Sequence, residues 1–455
     1  MDRADVLIVG GGPAGAACAG RLCAGGLDVL VLDKAQFPRP KLCAGWVTPG
    51  VFRQLGVTPE EYAQCPPSAT QLKPDAPARD EGGSLAGASG FSSAGNPAQA
   101  RTLQPMTGFR VGWMGGAGLV VSGREPMSYG IRRSEFDDYL LRRSGARLCL
   151  GEPLRAIRPA EDGWIVNERL TARMLVAAGG HSCPVARLLG MADDRGGPLV
   201  LSQEVEFELD PGERACCPVL AEVPEIYFCD DLLGYGWCIR KGNYLNVGLG
   251  RVTPRPGPAQ GDSPIFATLP TNATRKRVPG RCPRVPAKIG TVPPLPARMA
   301  RFCEILRQQG RLHVDLPERI AGHAYLLYGQ SLRPLAADGV VWIGDAAGLA
   351  YADSGEGIRP AIESGLLAAD AILAARGDYR RERLDAYRRW VVARFGPRCS
   401  EPPAAAPPSR LRRRIARWLL GRRWFVRRVL LNRWFLHVGQ PPLADDIRIP
   451  ARDGC

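Results

Sequence analysis

The chain has 455 residues, with 60 Lys and Arg against 45 Asp and Glu, which gives a formal net charge of +15. This length indicates two or three folded units, and a hydrophobic content of 45% is typical of a globular protein. The sequence has no run of about 18 apolar residues and no zinc-like spacing among its 14 cysteines, which excludes a membrane-spanning helix and a zinc module.

The positive charge is concentrated in two segments. Ten Arg and no acid lie between Arg410 and Arg433, and ten Lys or Arg with one acid lie between Thr271 and Val314. Such local basicity indicates an anionic partner, for which nucleic acid and anionic lipid are the candidates. The chain opens on a strand-forming run rather than a signal peptide, so we expect reduced thiols, no metal site and a cytoplasmic location.

Residues 4–33 have the pattern of a dinucleotide-binding βαβ unit. A buried strand at Val6–Val9 leads into a glycine-rich turn and a helix of small residues, and a second strand ends at Asp33. The glycines permit a tight turn and close approach to a pyrophosphate, while the acid can bind ribose hydroxyls and disfavours a 2′-phosphate. We therefore expect cofactor contacts from Gly10, Gly12, Pro13, Ala14, Gly15, Asp33 and Lys34.

A second strand–turn–helix pattern occupies residues 340–365. The apolar run 340–343 precedes Gly344-Asp345, and Gly355-x-Gly357 precedes a predicted helix over residues 359–375. Taken alone, this pattern would be better explained by a plain strand–turn–helix with a capping Asp. Its pairing with the first motif favours a cofactor site.

Three shorter segments carry further motifs. Lys41-Leu-Cys43-Ala-Gly45 follows the first unit, and Tyr235-Gly-Trp237 lies in a predicted strand whose alternation places both rings on one side. The segment 129–140 contains Arg133 and then Ser134, which we expect to cap a helix.

Together these segments resemble the FAD-dependent family that includes aromatic hydroxylases, flavin halogenases and geranylgeranyl reductases. The resemblance implies that Asp345 binds the ribityl chain of FAD and that Arg133 lies near the cofactor. It also implies that three residues approach the isoalloxazine, namely Gly355, Gly357 and Ile358.

The segments around Cys43 and Tyr235 are similar to those of the geranylgeranyl reductase branch. In that branch the cysteine lies near flavin and substrate, and the aromatic strand lines the prenyl cavity, which implies catalytic roles for Cys43, Tyr235 and Trp237. A buried small side chain and ordinary sheet packing are the alternatives. Gly179 stands where hydroxylases carry an Asp, which argues against a typical NADPH-dependent hydroxylase.

The C-terminal segment, residues 409–437, reads as one or two basic amphipathic helices broken near Gly421. Trp and Leu residues recur at steps of three and four among the Arg, which favours an anionic membrane surface. Packing of the aromatics on the main domain is the alternative, and nucleic acid is the less favoured partner. We expect a peripheral location on the inner face of the membrane.

The predicted fold class is α/β, with a discontinuous Rossmann-like FAD-binding domain, an α+β substrate domain built on an antiparallel sheet, and a C-terminal helical segment. The expected divisions are residues 1–65 (FAD-binding), 66–104 (irregular), 105–195 (FAD-binding, with substrate-domain strands), 196–330 (substrate domain), 331–395 (FAD-binding) and 396–455 (linker and basic helices). Within the substrate domain, residues 253–298 show no periodicity and read as a second irregular insertion.

The leading functional hypothesis is an FAD-dependent reductase of carbon–carbon double bonds in an isoprenoid or lipid-like substrate, supplied with electrons by an external donor. Cys43 and Tyr235 are the candidate proton donors. The alternatives are a flavin monooxygenase acting on an apolar substrate and a flavin-binding, membrane-associated protein without turnover.

Overall fold

The computed structural model describes residues 2–66, 100–191, 198–253, 294–317, 320–331, 333–398 and 407–443. In chain order the strands are β1 (Asp2–Val9), β2 (Val29–Asp33), β3 (Trp46–Val47), β4 (Leu103–Met106), β5 (Gly108–Trp113), β6 (Leu119–Ser122), β7 (Ser128–Ile131), β8 (Arg147–Leu150), β9 (Ile157–Ala160), β10 (Gly163–Val166), β11 (Leu170–Ala177), β12 (Leu199–Glu208), β13 (Glu225–Phe228), β14 (Gly234–Lys241), β15 (Tyr244–Thr253), β16 (Ala321–Tyr325), β17 (Ala336–Ala337) and β18 (Val340–Trp342).

The helices are α1 (Pro13–Ala24), α2 (Pro49–Leu55), α3 (Pro59–Gln64), α4 (Arg133–Arg143), α5 (Val185–Leu188), α6 (Pro211–Cys216), α7 (Leu295–Gln308), α8 (Ile358–Ala374), α9 (Arg381–Phe395), α10 (Arg410–Leu420) and α11 (Arg423–Phe425). A 3₁₀ turn covers Gly344–Ala346, and a π-helix covers Val426–Phe435.

The first sheet carries the two predicted flavin motifs. Its strand order is β17-β18-β11-β1-β2-β8, and the pairs from β18 through β8 are parallel. Strand β1 lies in the middle, so both of its faces are covered, which is why residues 6–9 form an unbroken apolar run. Helices α1 and α8 pack against each other over this sheet. Gly365 permits their close approach, because a Cβ there would overlap the Ala14 carbonyl oxygen.

The second sheet has the order β16-β12-β15-β14-β13-β5-β6 and is antiparallel apart from the β13–β5 pair. We call it the substrate sheet. Helix α7 covers one face, where a Cβ on Gly236 would come 2.6 Å from the Phe302 ring. The opposite face presents Tyr235 and Trp237 toward the flavin motifs and the C-terminal segment. A small third sheet, β3-β7-β4, lies outside these two.

The C-terminal segment breaks where the sequence indicates, since α10 ends at Leu420 and Gly421 is its C-cap. Its apolar residues do not share one face. One set packs against the substrate sheet, namely Leu420, Val426, Leu430, Leu431, Phe435 and Leu436. A second set is exposed to solvent, namely Leu411, Ile415, Trp418 and Trp424. The interpretation as a surface helix packing on the main domain is therefore right for the first set.

The predicted fold class is confirmed, with corrections in detail. Helix α4 begins at Arg133, one residue before the predicted cap Ser134, and Arg132 occupies the cap position without a side-chain bond. Helix α8 begins at Ile358 and ends at Ala374, one residue earlier at each end than predicted. Of the two irregular stretches, residues 67–99 and 254–293 lie outside the described residues. Strand β4 and helix α7 begin within the described ends of those stretches.

Candidate active site

The glycine-rich turn between β1 and α1 leaves room for a ligand only at Gly12. A Cβ on Gly15 would overlap the Gly10 carbonyl oxygen, and Gly10 has a φ of +113°. At Gly12, by contrast, the nearest atom to a Cβ would be the Arg39 guanidinium, at 3.6 Å. Open space under a cation, at the N-terminus of a helix, fits a pyrophosphate.

Asp33, the predicted ribose ligand, lies beside the glycine-rich turn. Its Oδ2 accepts a hydrogen bond of 2.7 Å from the Gly11 N–H, and its Oδ1 accepts one of 2.9 Å from the Ala35 N–H. These bonds fix the carboxylate at the end of β2, beside the turn. Lys34 follows it as an exposed side chain.

The second motif meets the first across the end of the sheet. Gly344 has a φ of +57°, and a Cβ there would come 3.0 Å from the Ala14 Cβ. The Asp345 Oδ1 lies 3.4 Å from where a Gly357 Cβ would be, and Gly357 is the N-cap of α8. Residues more than 300 positions apart therefore surround one space, which agrees with a cofactor that contacts both motifs.

Two arginines and a buried acid lie beside this space. The Arg133 guanidinium donates bonds of 2.7 and 2.8 Å to Asp137, and an Arg39 nitrogen lies 3.4 Å from the same carboxylate. Arg133 is buried, so it is not a surface arginine. One carboxylate holds both cations, so the group keeps a net positive charge suited to phosphate.

A lysine, a histidine and Asp345 form a chain at the edge of the substrate sheet. The Lys41 Nζ lies 3.1 Å from the His323 Nε2, and that nitrogen lies 3.9 Å from the Asp345 Oδ2. Burial lowers the pKa of His323 far below its ordinary value, so the ring is neutral. Burial also lowers the pKa of Lys41.

The loop that carries Cys43 is fixed from several sides. Its N–H donates to the Glu204 carboxylate, its carbonyl accepts from the Asn246 amide at 3.3 Å, and its Sγ accepts from the Gly45 N–H at 3.4 Å. Burial raises the pKa of the Cys43 thiol, an effect that the Arg133 guanidinium partly opposes. The thiol is therefore protonated at neutral pH and is surrounded by polar groups, unlike a cysteine in an apolar core.

Tyr235 and Trp237 share one face of β14, as their alternation predicts, and their ring centroids are 6.1 Å apart. The Trp237 indole lies across Gly248 on β15, where any Cβ would overlap it, and its Nε1 donates to the Asn246 Oδ1 at 2.7 Å. The Tyr235 hydroxyl donates to the Ser354 carbonyl, one residue before Gly355. The aromatic strand thus reaches the turn in front of α8.

Sequence reasoning missed several residues that the fold brings to this place. Tyr325 lies against the turn, with its hydroxyl 2.5 Å from where a Gly355 Cβ would be. Phe435 comes from the C-terminal segment, and Glu204 and His323 come from strands without a motif. The one available signal was charge at alternate positions of an otherwise apolar segment, since Glu204 and Glu206 lie two residues apart in what the structure shows to be β12.

A side chain at Gly179, where hydroxylases carry an Asp, would press against a neighbouring cysteine. A Cβ on Gly179 would lie 3.0 Å from the Cys183 Sγ, so any side chain there requires Cys183 to move.

Comparison with known proteins gives the same cofactor class. Residues 3–71 match the family model described as an FAD-binding domain. The menaquinone reductase of Mycobacterium tuberculosis is 27% identical over 390 residues, which is 82% of this chain and 77% of that protein. Digeranylgeranylglycerophospholipid reductase 1 of Methanothermobacter thermautotrophicus is 24% identical, covering 88% of this chain and 85% of that protein.

Among solved structures, a geranylgeranyl bacteriochlorophyll reductase-like protein from Thermoplasma acidophilum superposes with a TM-score of 0.60 at 19% identity, covering 92% of this chain and 88% of that one. Flavin-dependent brominase Bmp2 superposes with a TM-score of 0.56 at 18% identity, covering 97% and 90%. At this identity the superpositions show the fold alone.

Fold and site together define an FAD-dependent oxidoreductase. Within that class the chain resembles the superfamily that contains the aromatic hydroxylases, and in particular its geranylgeranyl reductase branch, as the sequence motifs predict.

Proposed function

We propose that the protein reduces carbon–carbon double bonds of an isoprenoid or similar lipid-like substrate. The observation that carries the proposal is the aromatic wall next to the flavin motifs. Tyr235 and Trp237 form its base, and the Phe435 ring lies 5.4 Å from that of Tyr235. An apolar wall beside a flavin suits a substrate that offers an alkene and little polar surface. The two relatives named as lipid and quinone reductases support the same substrate class.

The residues of this chain would bind, orient and exclude water. When bound, reduced FAD supplies the hydride, after an external donor has reduced it. Arg39 and the turn at Gly12 would hold its pyrophosphate, and Asp345 its ribityl chain. Tyr235 and Trp237 would orient the alkene, and Cys43 would contact both substrate and cofactor.

We also infer that the outer face of the C-terminal segment lies on an anionic membrane surface. Leu411, Ile415 and Trp418 are 66%, 48% and 56% exposed, and their spacing of four and three places them on one stripe of α10. Among the described residues, no helix is long and apolar enough to cross a bilayer. An exposed apolar stripe among arginines is typical of a helix that lies in the interface.

The reductase proposal is tested with the purified holoprotein. The flavin is bleached anaerobically with dithionite, and a geranylgeranyl lipid or a menaquinone is added. Recovery of the oxidised flavin spectrum, with a product that has gained two hydrogens, is the expected result. A product that gains one oxygen in air would identify a monooxygenase instead. A flavin that no reductant bleaches would indicate a flavin-binding protein without turnover.

The membrane proposal is tested with point variants, because deletion of residues 409–437 would also remove the buried Phe435. Wild type and Trp418→Asp are floated with vesicles of phosphatidylcholine, with and without phosphatidylglycerol. Wild type should float only with the anionic vesicles, and Trp418→Asp should stay at the bottom of the gradient. Leu220→Asp is the matched control, because Leu220 is 56% exposed outside this segment. Equal flotation of all three proteins, or tighter binding to duplex DNA, would contradict the membrane assignment.

A further inference from the structure

Strand β12 carries an acid, Glu204, on the face of the substrate sheet that is turned toward the flavin motifs. Alternation along the strand places Glu204 and Glu206 on the same face, and Glu204 lies opposite Gly248 in the register with β15. Gly248 has no side chain, so the Trp237 indole lies across it. A Cβ on Gly248 would be 2.8 Å from the Glu204 Cβ. Glu204 thus lies at the end of the indole, and only 3% of the residue is exposed.

The two acids have opposite surroundings. Glu206 accepts hydrogen bonds from the Lys241 ammonium, from Asn246 at 3.2 Å and from Arg132 at 3.3 Å. Glu204 accepts one from the Cys43 N–H. Within the part of the chain that the structure describes, no Lys or Arg nitrogen lies within 4.0 Å of the Glu204 carboxylate. A buried carboxyl without a cation favours its protonated form.

The titration of the pair follows from these contacts. Burial raises the pKa of Glu204 to about 7, with Lys241 and Lys41 opposing the rise and Glu206 adding to it. Burial alone would also raise the pKa of Glu206, but Lys241 brings it below its ordinary value. Glu206 is therefore ionised near neutral pH, and Glu204 holds a proton that it can release.

The other titratable groups that face Glu204 are poorer acids. Burial raises the pKa of Cys43, of Tyr235 and, most strongly, of Tyr325 on the neighbouring strand β16. His323, on the same strand, is neutral because burial lowers its pKa. A general acid works best when its pKa lies near the working pH, and among these groups Glu204 meets that condition.

We propose that Glu204 is the proton donor of the double-bond reduction, a role that rests on the proposed function. One alkene carbon takes the hydride from reduced FAD, and the π bond breaks. The other carbon takes the carboxyl proton of Glu204. The products are the saturated bond, oxidised FAD and the Glu204 carboxylate, which regains a proton from water. Of the residues proposed to contact the substrate, Cys43 donates its N–H to the Glu204 carboxyl, and Trp237 lies across Gly248 beside the Glu204 Cβ.

The first test needs no turnover. Infrared spectra of wild type should show the carbonyl band of protonated carboxylic acids, which disappears as the pH rises through about 7. Glu204→Gln should lose the Glu204 part of that band and keep the part from Glu356, whose pKa burial also raises to about 7. Glu204→Gln keeps an oxygen that can accept the Cys43 N–H bond, so we expect it to fold and bind FAD. A wild-type protein without such a band would overturn the assignment.

The second test is a single turnover. Reduced holoprotein is mixed with the lipid alkene without oxygen, and flavin reoxidation is followed at several pH values. Glu204→Gln should reoxidise at least about 100-fold more slowly, and the wild-type rate should fall as the pH rises past about 7 while the variant shows no such fall. Glu204→Asp, which keeps the acid, should recover part of the rate. Reduction by dithionite should be the same in all three proteins.

The outcomes separate the two proposals. Wild-type turnover matched by Glu204→Gln would overturn the role of Glu204 and leave the reductase proposal standing. Wild-type protein that shows the carbonyl band but reduces no lipid alkene would overturn the reductase proposal, and the donor role with it.

Discussion

The ring centroids of Phe435 and Tyr235 lie 5.4 Å apart, although 200 residues separate them in the chain. The C-terminal segment is therefore part of the wall of the candidate active site. Phe435 also contacts Trp46 and Phe228, at 6.1 and 6.2 Å, so it joins the loop beyond Cys43 to the substrate sheet. The segment that carries the exposed Trp418 on its outer side thus closes the aromatic wall on its inner side.

Hydrogen bonds join the chain after Phe435 to helix α8, which follows the second predicted flavin motif. The Arg359 guanidinium, in the first turn of α8, donates to the Gln440 carbonyl at 2.7 Å and to the His437 carbonyl at 3.3 Å. The His437 ring stacks on Tyr351 with centroids 3.8 Å apart. These contacts fix the C-terminal segment relative to the N-terminal end of α8.

Phe435→Ala should destabilise the protein and widen the cavity. The residue is 1% exposed, so truncation leaves a hole and should lower the free energy of unfolding by about 3 to 5 kcal/mol. Chemical denaturation checks this value. Leu411→Ala is the control, since an exposed residue of the same segment should change stability by less than about 0.5 kcal/mol. Equal effects of the two changes would show that Phe435 is not buried in solution.

Gly15→Ala should yield protein without flavin. The added methyl would overlap the Gly10 carbonyl oxygen and push α1 away from the turn that holds the pyrophosphate. The ratio of flavin to protein after purification is the measurement. Gly20→Ala, in the same helix, would meet Ser144 at an ordinary 3.5 Å and should keep its flavin. Full flavin content in Gly15→Ala would contradict the close packing of α1 against the glycine-rich turn.

Lys241→Met should destabilise the loop that carries Cys43. The Lys241 side chain is fully buried, and its Nζ donates to the Ala44 and Ile131 carbonyls at 3.2 and 3.1 Å and to Glu206. Removing it leaves a charged acid without its main partner, which should lower the free energy of unfolding by about 3 to 5 kcal/mol. Burial alone raises the pKa of Glu206, and Lys241 lowers it. The variant's loss of unfolding free energy should therefore become smaller below about pH 4.5, where Glu206 becomes protonated.

Denaturation of Lys241→Met at several pH values checks the direction. Lys34→Met, at an exposed position, is the control and should leave stability unchanged. A loss that grows at low pH would contradict the assigned ion pair.

Glu204 should make stability depend on pH in the opposite direction. Its folded-state pKa of about 7 lies above the value of 4.5 for an exposed side chain, so folding favours the protonated form. The associated stability is fully present below about pH 4.5 and is lost as the pH rises through about 7. Relative to Glu204→Gln, wild type should therefore lose stability between about pH 5 and pH 8. If the difference in unfolding free energy between wild type and Glu204→Gln were constant over this pH range, the Glu204 carboxyl would not titrate there.

Local patterns predicted the parts of the site that are built within one segment. The turn from Gly10 to Gly15 and the Gly344-Asp345 turn each join a strand to a helix. Their residue types follow from a backbone geometry that is set by neighbouring residues in the chain. The shared face of Tyr235 and Trp237 was predicted for the same reason, because side chains alternate along a strand. The cap of α4 was predicted two positions too late, since Ser134 satisfies the capping rule in sequence but Arg132 occupies the cap.

The sequence by itself thus determined the cofactor class and the two turns that would hold it. Only the tertiary structure decided which distant side chains meet there. Glu204 keeps its proton because it is buried and because Lys241 pairs with the neighbouring Glu206 instead. The position of Phe435 depends on which stripe of the C-terminal segment packs against the substrate sheet. Burial and ion pairing between strands are properties of the packed chain, so no local motif can encode them.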